Sequence, residues 1–162
     1  RFARMRSSAQ VVGITGSSGK TTTKEMLWAC LSAQGQTHAT PANLNNDLGV
    51  ALMLANLPAD CQYAVIEMGI SHVGEMEHLS DLVRPNVSII TGIAPAHQEF
   101  FKTLEMTATE KAHIMDFQDK NGSIILPTES PCAKELFDAA HLENMRHIVR
   151  FGKSAWQILR IK

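Results

Sequence analysis

Residues 13–23 read Gly-Ile-Thr-Gly-Ser-Ser-Gly-Lys-Thr-Thr-Thr, directly after the apolar pair Val11 and Val12 and ahead of a helical pattern. The chain must therefore pass from a strand through a tight turn into a helix. Such a turn aligns successive backbone N–H groups with the positive end of the helix, which makes a concavity for anionic oxygens. Glycine serves where the backbone takes angles closed to other residues and where it must approach phosphates without a Cβ in the way. Gly16, Ser17, Ser18 and Gly19 would form the cradle, and Lys20 would bring a mobile positive charge. The hydroxyl of Thr21 or Thr22 would ligate Mg²⁺. A nucleoside triphosphate is the expected ligand. The general pattern G-x-x-x-x-G-K-[ST] is missed at one place, because Ile14 stands where the first glycine belongs and Gly13 and Gly16 flank it. The bland alternative, a Gly/Ser turn capping an ordinary helix, is disfavoured by the strand before and the helix after.

Apolar runs of strand length alternate with helical patterns along the whole chain, the signature of a parallel sheet with crossover helices. Strands are predicted at 10–15, 63–67, 87–93, 123–126 and 147–151. Helices are predicted at 20–34, 49–56, 73–82, 107–117 and 132–140. In the first helix Met26, Leu27, Cys30 and Leu31 form the expected inward stripe, and Gly35 is a natural C-cap. The expected fold is a three-layer α/β domain of the P-loop NTPase type. Two long connections, 35–47 and 94–104, are rich in residues that hydrogen-bond or coordinate, and loops of that length are often functional.

A chain of 162 residues is of single-domain size. Its 15 Lys+Arg against 16 Asp+Glu leave no basic surplus of the kind nucleic-acid binders carry, so a small ligand is favoured. Cys30, Cys61 and Cys132 have no paired spacing, which suggests neither a disulfide framework nor zinc and fits a reducing compartment. No apolar run approaches the ~18 residues of a membrane span and no signal peptide is evident, so the cytoplasm is the expected location. Residues 1–9, with Arg1, Arg4 and Arg6, read as a solvated lead-in or linker, and residues 10–162 as the domain proper. Position 1 is not Met, and the chain stops inside the apolar/basic alternation of 156–162. An excised domain is expected.

In such a sheet, ligands gather at the carboxyl ends of the strands. Glu67 ends a buried apolar strand, where an unpaired carboxylate is costly, so a metal ion or cationic partner is expected. The alternative is a carboxylate capping the Met68-Gly69 turn. His97 lies just past the strand 87–93, as a ligand or as a structural loop histidine. Lys111 shares a helical stripe with Ala108, Ala112 and Met115 and so faces inward. Either its stem packs while the ammonium reaches water, or burial lowers its pKa and frees the amine for chemistry. Asn43, Asn45, Asn46 and Asp47 crowd the start of a helix. Capping accounts for one or two of them, not four. The polar run 67–75 follows a strand and could face the same cleft.

Together these segments resemble the central ATPase domain of the Mur ligases, the enzymes that build the peptide of bacterial cell-wall precursors. The resemblance rests on TGSSGKTT at 15–22, NLNNDLG at 43–49, VIEMGISHVGEM at 65–76, APAHQEFF at 94–101 and EKAHI around Lys111. Within the family, the 45–49 loop and the 67–75 run look most like the branch that adds D-Ala-D-Ala to UDP-MurNAc-tripeptide. The resemblance implies ATP-dependent amide formation: a carboxylate takes the γ-phosphoryl group to give an acyl phosphate, and an amine then displaces phosphate. It implies that Lys20 holds phosphates and that Thr21 with Glu67 holds one Mg²⁺. It implies further that His97 and Lys111 would serve a second Mg²⁺, Lys111 as a carbamate, and that Asn46 or a neighbour in 45–47 would lie near the γ-phosphate. The partners implied are UDP-MurNAc-peptide and D-Ala-D-Ala, without nucleic acid, and a monomeric state. After the modified lysine the family usually has Gly-Glu or Ala-Glu, whereas this chain has Ala112 and His113.

Other readings are a muramyl ligase adding a single amino acid, the ligase half of cyanophycin synthetase, a P-loop kinase or switch, and a non-catalytic nucleotide-binding module. Folylpolyglutamate synthase is disfavoured, because it usually carries Gly-Lys-Gly-Ser where this chain has Gly19 to Thr22. The flanking domains for the UDP-sugar and the amine are not in this stretch. The 162 residues alone are expected to ligate nothing.

Overall fold

The computed structural model describes residues 2–42, 44–95 and 100–153. After a short helix α1 (Phe2–Met5), strands and helices alternate: β1 (Gln10–Thr15), α2 (Lys20–Ser32), β2 (Thr37–Ala39), α3 (Asp47–Ala55), β3 (Tyr63–Glu67), α4 (Glu75–Val83), β4 (Val87–Ile90), α5 (Leu104–Ala112), β5 (Ser123–Pro127), α6 (Ala133–Leu142) and β6 (His147–Phe151). The strands form one sheet of order β2-β3-β1-β4-β5-β6, and every neighbouring pair is parallel. This is the α/β architecture that the alternation predicts.

Side-chain alternation along the strands divides the core in two. Val11, Ala64, Ile66, Ile90, Ile124 and Leu126 join the larger cluster, which takes in Met53 of α3, Leu79 of α4, Ala108 of α5 and Leu136 of α6. Their sequence neighbours Val12, Val65, Ile89 and Ile125 belong with Ile14 to a smaller cluster on the other face, where Leu27 and Leu31 of α2 pack. The strands read as continuous apolar runs because both faces need apolar residues.

Helix α2 does not bury the stripe expected of it. Met26 is 66% exposed and Cys30 is exposed, and the helix instead buries Lys24, with Leu27 and Leu31 partly buried beside it. Spacings of three and four residues put Lys24, Leu27 and Leu31 on one face, so a lysine occupies the place that Met26 or Cys30 was expected to take.

Three further boundaries move. Strand β4 stops at Ile90 because Thr91 turns toward residues 15–18: its amide donates to Thr15 O at 2.9 Å and its hydroxyl to Ser18 O at 2.6 Å. The helix expected over 107–117 starts earlier, capped by Thr103 Oγ1 accepting from Met106 N, and ends in a 3₁₀ turn over His113–Met115. The edge strand β2 falls inside what reads as a loop, since three residues without an apolar run carry no period to detect. The lead-in is anchored as well as solvated: Phe2 and Met5 are exposed, but Arg4 Nε donates to Val83 O and Nη2 to Asn86 Oδ1. Among the described residues no helix is long and apolar enough to cross a membrane.

Candidate functional site

Strand β1 lies at the centre of the sheet with β3 on one side and β4 on the other, so the connections leaving them diverge and open a crevice at their carboxyl ends. Residues 16–19 cross this crevice. Gly16 has φ 147° and Gly19, the N-cap of α2, has φ 81°, angles that side-chain-bearing residues rarely adopt. Ile14 is fully buried in the sheet and its carbonyl accepts from Met68 N, so the turn starts one residue past the strand and needs its glycine at 16. The loop is tied to β4's exit: Ser17 N donates to Gly92 O at 2.9 Å, and Ser17 Oγ bonds both the carbonyl and the amide of Ala94. No side chain caps α2, so its first amides face the turn as donors for an anion. Lys20 Nζ donates to Gly16 O at 2.9 Å, which folds the ammonium over the loop. Ser18, Thr21 and Thr22 are exposed.

Glu67 is 1% exposed, and both its carboxylate oxygens accept hydrogen bonds. Thr21 Oγ1 donates to Oε2 at 3.0 Å and Asn45 Nδ2 to Oε1 at 2.8 Å. Its carboxylate thus reaches α2 and the 40–46 loop rather than capping the Met68-Gly69 turn. Asn45 is held closely, since its carbonyl accepts from Gly69 N at 2.8 Å and a Cβ on Gly69 would come within 2.8 Å of the Asn45 amide group. Asn46 caps α3, its Oδ1 accepting from Gly49 N at 2.9 Å.

These elements line a cavity of about 880 Å³ that contains Gly16, Ser17, Lys20, Asn45, Asn46 and Asp47, the 69–75 turn and Lys111. The turn is held from two directions. Glu75 Oε2 accepts from the amides of Ser71 and His72, while Glu110 Oε1 accepts from Gly74 N at 2.9 Å and Met76 N at 3.1 Å. Burial pushes the Glu75 carboxyl up, but the amide and His72 hydrogen bonds outweigh it and leave it below the ordinary carboxylate value. His72 packs against Phe100 with ring centroids 4.1 Å apart and the planes tilted by 56°, and His78 Nε2 meets Asp47 Oδ1 at 3.0 Å.

Lys111 faces inward as its stripe predicts: it is 4% exposed, with Ala108, Ala112 and Met115 buried beside it. Burial first, and the charge of Lys20 second, lower its pKa to about 8 from 10.5, against a smaller opposing pull from Glu110. His113 pairs with Asp116, Nδ1 to Oδ2 at 2.8 Å. His97 lies outside the described residues, as does Asn43.

Sequence reasoning missed Lys24, Thr40, Thr91 and Glu110. Lys24 lies at helical spacing from Leu27 and Leu31, but hydropathy favours Met26 and Cys30 over an ammonium at the buried positions. The other three act through contacts between distant segments.

The chain thus sets a glycine turn after the central strand of a parallel α/β sheet, a strand-terminal glutamate beside it and an inward lysine on the same cavity. Residues 14–161 match the Mur ligase middle domain, and the chain belongs to that family. It is 46% identical over 114 residues to the UDP-N-acetylmuramoyl-tripeptide–D-alanyl-D-alanine ligase of Borreliella burgdorferi, a match covering 70% of this chain and 25% of that protein. Among solved structures, MurF from Acinetobacter baumannii superposes with a TM-score of 0.90 at 38% identity, covering 95% of this chain and 34% of that one. MurF from Thermotoga maritima in complex with ADP superposes with a TM-score of 0.78 at 33% identity, covering 94% and 35%. The chain thus spans a quarter to a third of the curated relatives it matches, from 25% to 34%.

Proposed function

We propose that this chain is the nucleotide-handling middle domain of a cytoplasmic, monomeric ligase that joins D-Ala-D-Ala to UDP-MurNAc-tripeptide at the expense of ATP. The observation that carries the reading is the junction of Thr21, Glu67 and Asn45 beside the residue 16–20 cradle, across one cavity from Lys111.

The residues fit the groups this activity needs. Thr21 Oγ1 and Glu67 Oε2, 3.0 Å apart, are hard oxygen donors of the kind Mg²⁺ takes, and the buried carboxylate is suited to a cation. Bound ATP with Mg²⁺ supplies the phosphoryl group that activates the acceptor carboxylate. The protein's part is positioning and charge neutralisation. The amides of residues 16–22 and the Lys20 ammonium hold phosphate oxygens. Asn45 orients the Glu67 carboxylate, and Asn46 lines the same cavity. With a pKa of about 8 the Lys111 amine is neutral in roughly a tenth of molecules at pH 7, against fewer than one in a thousand for an ordinary lysine. That free amine would add to CO₂ and lose a proton to solvent, giving a carbamate whose anionic oxygen would serve a second Mg²⁺ together with His97.

Isothermal titration with ATP and Mg²⁺ tests the binding half, with Lys20→Ala and Glu67→Gln expected to weaken it at least tenfold. Exchanging this domain for the middle part of the Acinetobacter baumannii enzyme tests the rest. The hybrid should release phosphate in response to D-Ala-D-Ala, whereas the 162-residue chain alone should not. Robust D-Ala-D-Ala-dependent release from the chain alone would overturn the division of labour.

A further inference from the structure

Lys24 is 1% exposed and belongs to none of the groups proposed to touch nucleotide or metal. Its Nζ donates to Thr40 O at 2.9 Å and to Ala42 O at 3.1 Å, and lies 2.9 Å from Oε1 of Glu25, a side chain 57% exposed. Burying an ammonium is costly unless its donors are met, and ordering the long side chain costs a further ~1.5–2 kcal/mol. A methionine would fill the same space at a similar ordering cost, but without burying a charge. What the lysine adds is a grip on two carbonyls of the loop that leads to Asn45.

That grip closes a ring. Thr21 and Lys24 are one turn apart on α2, so they share a face and move as one body. Thr21 reaches Glu67 Oε2, and Glu67 Oε1 takes the amide of Asn45. Three residues before Asn45 the loop is held by Lys24, and Thr40 is also fixed to strand β3: Thr40 N donates to Val65 O at 3.0 Å, and Glu67 N donates to Thr40 Oγ1 at 2.9 Å. The helix that carries the phosphate lysine thereby sets the position of the loop that orients the metal-site carboxylate.

We infer that Lys24 is a positioning residue, which acts through the 40–45 loop to hold Asn45 against Glu67 and so couples the cradle to the Mg²⁺ end of the site. The inference rests on the nucleotide-binding reading above. A merely structural lysine would lower stability and weaken every ligand alike. A positioning lysine weakens specifically what depends on Glu67, and only through Asn45.

The test uses the 162-residue chain and a fluorescent ATP analogue, titrated with Mg²⁺ and with EDTA. Lys24→Met should weaken Mg²⁺-dependent binding about tenfold and change binding in EDTA less than twofold, with Lys24→Arg recovering most of the loss. Asn45→Ala should give the same tenfold loss. Because both act on one contact, Lys24→Met/Asn45→Ala should also lose about tenfold and not about a hundredfold. An additive double variant, an equal loss with and without Mg²⁺, or no loss would each overturn the inference. If Lys24→Met does not fold, Lys24→Gln carries the same cycle, with Lys24→Arg still expected to recover most of the loss. If the wild-type chain binds no nucleotide, the functional reading fails, and hydrogen exchange decides Lys24 alone. The amides of 44–50 should exchange at least tenfold faster in Lys24→Met than the change at β5, which reports global stability, accounts for, and 44–50 amides accelerated no more than those of β5 would overturn the coupling.

Discussion

Helices α2 and α5 each bury one lysine to nearly the same degree, Lys24 at 1% exposed and Lys111 at 4%, yet the two have opposite surroundings. On α2 the ammonium meets two backbone carbonyls. On α5 it lines a cavity near a second positive charge, Lys20, and its pKa falls to about 8. Burial alone therefore does not say whether an amine is structural or chemical. What differs is the partners each ammonium meets, two carbonyls for Lys24 and a second cation across a cavity for Lys111.

The largest expected effect separates the two lysines by activity. In the hybrid ligase, Lys111→Ala should reduce D-Ala-D-Ala-dependent phosphate release at least a hundredfold, with partial rescue by short carboxylic acids that replace the carbamate. Unchanged activity would remove Lys111 from the reaction and collapse the contrast.

Stability should separate them with opposite signs. In urea unfolding at pH 7, Lys24→Met should lose about 2–4 kcal/mol, because two carbonyls lose their donor. Lys111→Met should gain about 1–2 kcal/mol, because a charge held in an unfavourable place is removed. Losses in both would mean that Lys111 is as well satisfied as Lys24.

The pH dependence sharpens the same point. Between about 8 and 10.5 the unfolded chain holds the Lys111 proton and the folded chain does not, so this group's contribution to stability rises with pH across that window. The advantage of Lys111→Met should be complete below pH 8 and fade above it. A carbamate signal from ¹³C-bicarbonate that depends on Lys111 should report the same neutral amine, and a half-point near 10.5 would contradict the lowered pKa.

Smaller effects probe the partners of each lysine. Gly69→Ala should displace the Asn45 amide and weaken Mg²⁺-dependent nucleotide binding a few-fold, less than Asn45→Ala does. Asn46→Ala should cost about 1 kcal/mol through loss of the α3 cap, and Asn46→Asp should retain most of it. Thermal unfolding reads both Asn46 variants.

Much of the site was legible because its signals are local. The glycine spacing around Lys20, the apolar strand ending in Glu67 and the helical stripe holding Lys111 each lie within a dozen residues or so, where backbone period and turn chemistry act directly. The same stripe logic pointed the wrong way on α2, where Met26 and Cys30 read as core and are exposed. Hydropathy favours a sulfur side chain over an ammonium at a buried position. It cannot register that the carbonyls of Thr40 and Ala42 will arrive to satisfy the charge.

What the sequence by itself determined was the order of the strands and helices other than α1 and β2, the cradle after β1 and the inward turn of Lys111, since each follows from periodicity and conformational preference within one segment. Only the tertiary structure decided that Asn45 reaches Glu67 while Asn46 caps α3, that Glu110 holds the start of α4, and that Lys24 grips the 40–42 loop. The reason is physical. Asn45 meets a partner 22 positions away, Lys24 one 16 away and Glu110 one 36 away. A short side chain reaches such a partner only where the packed sheet and helices have already brought the two backbones together.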